Sequence, residues 1–204
     1  MLVIGLTGSI GMGKSTVAAR LRSLGFAVFD ADAEVHRLYE GPAVAVIEAA
    51  FPGSTDGQRV DRNKLSQALL ANPQDFRRLE AIVHPLVIAA ERSFLRGEAE
   101  RGAKLAVLEV PLLLESGRPP RVDAIIVVSA AADLQRKRVL RRPGMSVEKL
   151  EQVLARQMPD ADKRARADFV VDTSGTFAET DAQVDLIVES LQDRKATAFA
   201  EFWR

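Results

Sequence analysis

The sequence predicts a three-layer α/β/α fold with a parallel sheet, and three features of its pattern indicate this. Short, nearly continuous apolar runs recur along the chain, as expected for strands buried on both faces of a parallel sheet. These runs alternate with segments of helical spacing, so the repeating unit is strand, helix, strand with right-handed crossovers. A glycine-rich segment follows the first apolar run directly.

The predicted elements follow in order along the chain. The strands are Leu2–Thr7, Phe26–Phe29, Lys104–Val110, Ala124–Val128 and Phe169–Asp172. The helices begin near Lys14 with a stop at Gly25, then cover 33–50 with a break near Gly41-Pro42, 62–100, 131–141, 147–157 and 177–193. Boundaries are expected near Asn72-Pro73 and His84-Pro85, because the residue before proline disfavours helix. The segment between the second and third strands, about 70 residues, is too long for a plain crossover and predicts a helical lobe.

The amino-acid composition limits which classes of molecule the protein can be expected to bind. The 28 basic residues balance the 28 acidic ones, so no net charge attracts nucleic acid or an anionic membrane, and any anion must be held locally. The sequence has no cysteine, which excludes disulfides and thiolate metal sites. No apolar run approaches the roughly 18 residues of a membrane span. We therefore expect a soluble, cytoplasmic protein, a monomer or weak homo-oligomer, with no nucleic-acid or membrane partner.

The segment Gly8–Ser15 fits the pattern G-x-x-x-x-G-K-[ST] at every fixed position. Its glycines let consecutive backbone N–H groups point at phosphates, and a helix starting at Lys14 adds its positive dipole end. The Lys14 ammonium can reach the β- and γ-phosphates, and the Ser15 hydroxyl can ligate Mg²⁺. The alternative is a glycine-rich turn that merely joins a strand to a helix. The motif predicts a P-loop NTPase core that binds ATP through Gly8, Gly11, Met12, Gly13, Lys14, Ser15 and Thr16.

Asp30 and Asp32 close the second predicted strand, at the edge where a parallel sheet binds ligands. A carboxylate there can orient an acceptor hydroxyl and take its proton. Residues two apart share one face of an extended chain, and Asp32 is nearer the predicted lobe, so we expect Asp32 to be the base. The alternative for either residue is to cap the following helix, and the two roles could be divided between them.

Glu109 ends the third predicted strand, where P-loop enzymes place a carboxylate that orients the metal. The alternative is a solvent-facing strand end. Glu115 follows shortly after, and we expect it to lie in a loop or helix and to face substrate.

Basic residues cluster between Arg136 and Arg142. Arg138 and Arg142 are four apart, so they share a helix face and could balance the charge of a transferred phosphoryl group. A nucleic-acid patch would need interleaved aromatic residues, which this segment lacks. For Arg136 and Lys137 we expect a solvated helix face.

His36 and His84 are the only histidines in the sequence, so no histidine array can bind a metal. His36 falls one turn after Asp32, near the expected acceptor site, and His84 precedes Pro85 within the predicted lobe. A purely structural role is the alternative for each histidine.

Together these motifs resemble those of dephospho-coenzyme A kinases. The resemblance includes the glycine loop, Asp30-Ala31-Asp32, and Asp61-Arg62 at a helix start. It also includes LE-x-x-x-HP at residues 79–85, VPLL at 110–113, Q-x-x-R at 135–138 and AD at 167–168. It extends over about residues 2 to 190.

The resemblance implies ATP- and Mg²⁺-dependent phosphorylation of the ribose 3′-hydroxyl of dephospho-CoA. It implies one P-loop kinase domain over 1–204, with a core at about 1–32, 101–135 and 165–204, an inserted helical substrate lobe at about 33–100 and a small helical lid at about 136–164. The base maps to Asp32, and the lid arginine maps to Arg142 with Arg138 beside it. The expected catalytic residues are Asp32, Lys14, Arg138 and Arg142; the expected substrate contacts are Asp32, His36, His84, Pro85 and Leu112; the expected metal contacts are Ser15 and Glu109.

Two positions depart from the family pattern. Glu109 stands where the family often has aspartate, and Asp172-Thr173-Ser174-Gly175 stands where asparagine is common, so the contacts to adenine stay unassigned.

A nucleotide or nucleoside kinase of similar core is the alternative function, against which the LE-x-x-x-HP motif argues. A GTP-binding switch would need Asn-Lys-x-Asp after a strand, whereas Asn63-Lys64 lies in a predicted helix.

Overall fold

A computed structural model describes residues 1–72, 74–115 and 119–204. Its strands are β1 Leu2–Thr7, β2 Ala27–Asp30, β3 Leu105–Glu109, β4 Ala124–Ser129 and β5 Phe169–Asp172. They form one sheet in the order β2-β3-β1-β4-β5, and the pairs β1–β3, β1–β4 and β4–β5 are parallel. Strand β1 lies in the middle and is buried along its whole length, which is why its sequence is a continuous apolar run. The α/β fold with a parallel sheet is confirmed.

The helices are α1 Lys14–Ser23, α2 Ala31–Tyr39, α3 Val44–Ala50, α4 Arg62–Ala71, α5 Asp75–Glu100, α6 Ala132–Leu140, α7 Val147–Leu154, α8 Asp160–Ala165 and α9 Phe177–Ser190, followed by a π-helical turn at Phe199–Trp203. Local capping explains several helix starts. The Asp61 carboxylate accepts the first free amides of α4, and Thr176 with Glu179 forms a capping box for α9. Among the described residues, no helix combines the length and apolar character that crossing a bilayer requires.

Three helical predictions need correction. Helix α2 begins at Ala31 rather than Ala33, so Asp32 is helical and the argument from an extended chain is wrong. Helix α5 continues through Pro85 instead of breaking there, because its apolar side chains on both sides of the proline pack in one cluster. Helix α8 was not predicted. The break near Gly41-Pro42 and the boundary at Asn72 are confirmed, while Pro73 lies outside the described residues.

The described chain divides into two compact units, Met1–Phe29 with Leu95–Arg204, and Asp30–Phe94. The first unit packs β1, β3, β4 and β5 against α1 and α9 around a core that includes Ile4, Leu6, Val17, Leu21, Ile126 and Val184. The second unit packs α2 to α4 and the part of α5 up to Phe94 around a separate core that includes Leu38, Ile47, Leu65, Leu69 and Val83. The finer division into core, lobe and lid stays a prediction.

Candidate active site

The segment Gly8–Gly13 connects the carboxyl end of β1 to the first turn of α1. Gly11 and Gly13 have φ of 77° and 94°, in the left-handed region that glycine adopts without strain. Within the part of the chain that the structure describes, no protein acceptor takes the amides of Gly11, Gly13 or Ser15. This loop therefore presents amide donors at a helix N-terminus, the arrangement that binds phosphate.

The Lys14 and Ser15 side chains belong to the first turn of α1. Lys14 Nζ donates to the carbonyl of Gly8 at 2.8 Å, so the ammonium lies across the loop rather than extending into solvent. Ser15 is exposed. The Lys14 ammonium and the Ser15 hydroxyl therefore both belong to the turn that directly follows the loop.

The outer side of the loop is packed closely against its neighbours. A Cβ at Gly11 would lie 2.5 Å from Val139 Cγ2, and one at Gly13 would lie 2.9 Å from Thr173 Oγ1. Thr173 Oγ1 also donates to the carbonyl of Met12 at 2.7 Å. The turn after β5 is therefore in direct contact with the phosphate loop, a role for Thr173 that its sequence context did not indicate.

Arg138 is half-buried and bonded to this turn. Its Nη1 donates to Thr173 Oγ1 at 2.9 Å, and its Nη2 donates to the Thr173 carbonyl at 2.7 Å. A chain of hydrogen bonds therefore runs from Arg138 through Thr173 to Met12. Arg142 is exposed in the turn after α6, and Arg136 and Lys137 are exposed on the helix, as a solvated face requires.

Glu109 ends β3 directly beside Leu6 of β1. It is only 8% exposed, so the alternative of a solvent-facing strand end is wrong. Its Oε2 lies 3.9 Å from Nη2 of Arg22 in α1. The Glu109 carboxylate thus lies on the strand next to the one that leads into the P-loop, and it forms a long ion pair with the Arg22 guanidinium. Leu112, three residues on, is 46% exposed.

Glu115 lies in the turn after β3, but its carboxylate faces the protein. Lys163 of α8 is fully buried, and its Nζ lies 2.7 Å from Glu115 Oε1. The same oxygen accepts the amide of Met158 at 3.0 Å, and Lys163 also donates to the carbonyl of Pro111. This buried ion pair replaces the expected contact of Glu115 with substrate.

In the second unit, the two aspartates of the DAD motif have different roles. Asp30 Oδ1 accepts the amide of Ala33 at 3.0 Å and caps α2, so the capping alternative is confirmed for Asp30. Asp32 is exposed in the first turn. His36 follows one helical turn later, on the same side of α2 as Asp32. The pair Asp32 and His36 is therefore available to a ligand.

The histidines of this unit differ in their contacts. Nδ1 of His36 lies 2.5 Å from Nη2 of Arg62 at the start of α4, and the Arg62 guanidinium stands over the ring of Tyr39 at 5.9 Å. His84 and Pro85 are exposed in the middle of α5. The structure thus gives His36 a partner that the sequence did not indicate.

A cavity of about 410 Å³ opens at the carboxyl ends of β4 and β5, within the size range of small-molecule sites. Its polar lining includes Ser129, Gln135, Asp160, Arg164, Asp172 and Ser174. The hydrogen bonds that Asp172 receives from the Ser174 side chain and amide, with help from Arg164 and Arg138, lower the pKa of this carboxyl. The carboxylate is therefore held in its charged form. Among the described residues no cluster of three or more histidines, aspartates or glutamates could hold a metal ion.

Comparison with known proteins identifies the same family throughout the chain. The family model for dephospho-CoA kinase (CoaE) matches residues 2–179. A dephospho-CoA kinase from Brucella melitensis is 50% identical over 198 residues, which cover 97% of this chain and 99% of that protein. Protein TT1252 from Thermus thermophilus superimposes with a TM-score of 0.79 at 35% identity, over 94% of this chain and 98% of that one. A dephospho-CoA kinase from Campylobacter jejuni shares the fold, with a TM-score of 0.66 at 24% identity over 93% and 96% of the two chains.

Proposed function

The chain belongs to the dephospho-CoA kinase family and is a phosphotransferase, and from this premise we propose how its residues carry out the reaction. The reaction transfers the γ-phosphoryl group of ATP to the ribose 3′-hydroxyl of dephospho-CoA, the last step of coenzyme A biosynthesis. The observation that carries the proposal is the loop Gly8–Gly13 directly before α1, in which the amides of Gly11 and Gly13 have no acceptor among the described residues.

The ATP phosphates bind this loop. The amides of Gly11, Gly13 and Ser15 donate to phosphate oxygens, and the positive end of α1 adds to their attraction. Lys14 turns from the Gly8 carbonyl, which it contacts at 2.8 Å, to the β- and γ-phosphates. These groups are fixed before the reaction, so they stabilise the charge that develops on the transferred group without reorganisation.

The residues present fit a hard divalent cation bound through oxygen. The exposed Ser15 hydroxyl would hold Mg²⁺ directly. Glu109, whose Oε2 lies 3.9 Å from Nη2 of Arg22, would act through a water ligand. When bound, Mg²⁺ neutralises charge on the β- and γ-phosphates.

Asp32 orients the acceptor hydroxyl and takes its proton. Its side chain is exposed in the first turn of α2, and Asp30 is already committed to the cap, so the two acids divide the tasks. His36, His84 and Pro85 are exposed on α2 and α5, and we propose that they contact dephospho-CoA together with Leu112.

Arg138 and Arg142 act on the triphosphate from α6 and the turn after it. Arg138 is already held by Thr173 next to the loop, so it stands in place before ATP binds. Arg142 is exposed and approaches only when the lid closes, which excludes water from the transferred group.

An ATP-consumption assay across dephospho-CoA, AMP, CMP, shikimate and a nucleoside tests the proposal. We expect turnover with dephospho-CoA alone, and turnover confined to another acceptor would overturn the substrate assignment. Asp32→Asn and Lys14→Ala should each lower kcat by about 10²-fold or more. Asp30→Asn, which keeps a capping side chain, and Lys137→Ala on the exposed face of α6 are the matched controls. Near-normal turnover of Asp32→Asn would contradict the assignment of Asp32 as the general base.

A further inference from the structure

The backbone N–H and C=O of one residue in the phosphate loop, Ile10, are each bonded to a glutamine side chain. Gln135 Nε2 donates to the carbonyl of Ile10 at 2.8 Å, and the amide of Ile10 donates to Gln157 Oε1 at 3.1 Å. Ile10 is the residue between Ser9 and Gly11, at the tip of the loop. The two glutamines come from segments more than a hundred residues away in sequence.

The two glutamines are themselves firmly placed. Gln135 is 7% exposed on α6, in the helix whose Val139 is in contact range of Gly11. Gln157 lies between α7 and α8, directly before Met158, whose amide is bonded to Glu115. Two residues further on, Asp160 Oδ2 accepts the hydroxyl of Ser129 at 2.7 Å. The segment that carries Gln157 is therefore attached to the turn after β3 and to the end of β4.

We infer that Gln135 and Gln157 are positioning residues that hold the loop in its phosphate-binding form through the backbone N–H and C=O of Ile10. The inference rests on the proposed function, since it assumes that ATP phosphates bind this loop. A glycine-rich loop loses more conformational freedom on ordering than any other, and ordering it at the moment of binding weakens affinity. Two hydrogen bonds, one to the peptide group on each side of the Ile10 Cα, reduce that cost before the nucleotide binds.

One of these contacts links the loop to the segment predicted as lid, through Gln157, and the other links it to the helix that leads into that segment. Gln135 belongs to the helix that carries Arg138, and Gln157 follows the helix after Arg142. A displacement of either segment moves a hydrogen-bond partner of the Ile10 backbone. The affinity for ATP therefore depends on the positions of α6 and of the 157–163 segment, while the acceptor site has no part in this contact.

Because one glutamine donates and the other accepts, glutamate variants can distinguish loss of a hydrogen bond from loss of packing. Gln135 must donate, because its partner is a carbonyl, and Gln157 must accept, because its partner is an N–H. In Gln157→Glu the carboxylate still accepts, whereas Gln135→Glu places an oxygen against the Ile10 carbonyl. Each variant adds one negative charge beside the phosphates, so a difference between them reports the bond. Gln135→Met and Gln157→Met remove each bond without adding charge.

For these four variants we would measure the Kd for Mg-ATP by calorimetry, the KM values for ATP and for dephospho-CoA, and the midpoint of thermal unfolding. The control is Gln152→Met, which changes an exposed glutamine of α7. Each methionine variant should raise the Kd for ATP about fivefold, the equivalent of one hydrogen bond of about 1 kcal/mol. The KM for dephospho-CoA should change less than twofold. Gln135→Glu should weaken ATP binding more than Gln135→Met, and Gln157→Glu should weaken it less than Gln135→Glu does.

Several results would overturn the inference. One is an unchanged Kd for ATP in the methionine variants of a protein that binds ATP normally, which leaves the proposed function standing. Another is a parallel rise of both KM values with a lowered thermal midpoint, which would indicate a general loss of structure. Equal Kd values for the two glutamate variants would contradict the assigned polarity. If the unmodified protein bound no nucleoside triphosphate, the proposed function and this inference would both fail.

Discussion

The ion pair between Glu115 and Lys163 provides a direct test of how the first unit is stabilised. Lys163 is fully buried, and the Glu115 side chain is 14% exposed. Glu115→Ala leaves the Lys163 ammonium buried without its counter-charge, at 2.7 Å from where the carboxylate oxygen was. Removing one partner of a buried pair costs about 3–5 kcal/mol, because the remaining charge is neither hydrated nor paired.

This cost converts to a measurable shift in the thermal midpoint. For a chain of this size, about 1 kcal/mol lowers the midpoint by about 2–4 °C. Glu115→Ala should therefore unfold about 6–20 °C below the unmodified protein when followed by circular dichroism. The control is Arg101→Ala, which breaks a pair with Glu98 in which the arginine is 72% exposed. Its cost should stay below about 1 kcal/mol.

A double variant separates the charge from other contacts of Glu115. Glu115→Gln with Lys163→Met removes both charges but keeps a side-chain oxygen to accept the Met158 amide, and the Pro111 carbonyl keeps the Thr7 hydroxyl at 3.1 Å. We expect it to unfold at a higher temperature than Glu115→Ala, because no uncompensated charge remains buried. If Glu115→Ala shifted the midpoint no more than Arg101→Ala does, the reasoning from burial would be refuted.

Three further predictions concern single residues. Asp30→Ala should lower stability by about 1 kcal/mol in urea unfolding, because α2 loses its cap, whereas Asp30→Asn should not; equal losses would contradict the cap. Gly11→Ala should abolish ATP binding measured by calorimetry, since its Cβ meets Val139 Cγ2 at 2.5 Å and its φ is 77°; unchanged affinity would show that the loop tolerates the shift. The pKa of Asp172 is lowered in the folded protein, first by the Ser174 hydroxyl, so its stabilisation is present above the ordinary carboxyl pKa and lost as pH falls through the lowered value. Asp172→Asn should therefore flatten the acid side of the profile of thermal midpoint against pH, and a profile as steep as that of the unmodified protein would contradict this assignment.

Sequence patterns predicted well those features that depend on neighbouring residues. Strands β1 and β5 have the predicted bounds. For β1 the reason is that a parallel strand buried on both faces forms a nearly continuous apolar run, whereas β5 is a short apolar run that ends at an exposed aspartate. The loop from Gly8 to Ser15 combines its glycines, lysine and hydroxyl in one short segment, so its chemistry is readable without a fold. The cap at Asp30 was left as one of two alternatives, since a carboxylate before a helix suits both capping and catalysis.

Features that depend on packing were predicted less well. Pro85 was expected to interrupt a helix, but burial of apolar residues on either side of it keeps α5 continuous. Glu109 could not be assigned to core or solvent from its place at a strand end. Lys163 resembles a surface residue in sequence, because nothing nearby indicates that Glu115, 48 positions earlier, would lie against it.

The amino-acid sequence by itself determined the parallel α/β core, the phosphate loop and the family, since each rests on local pattern or on motifs in order. Only the tertiary structure decided what surrounds the loop: Thr173 bonds the Met12 carbonyl, Arg138 bonds Thr173, and two glutamines bond the N–H and C=O of Ile10. The reason is physical. A hydrogen bond between residues 35 to 161 positions apart depends on how the helices and strands pack, and single side chains leave no periodic signal of it in the chain.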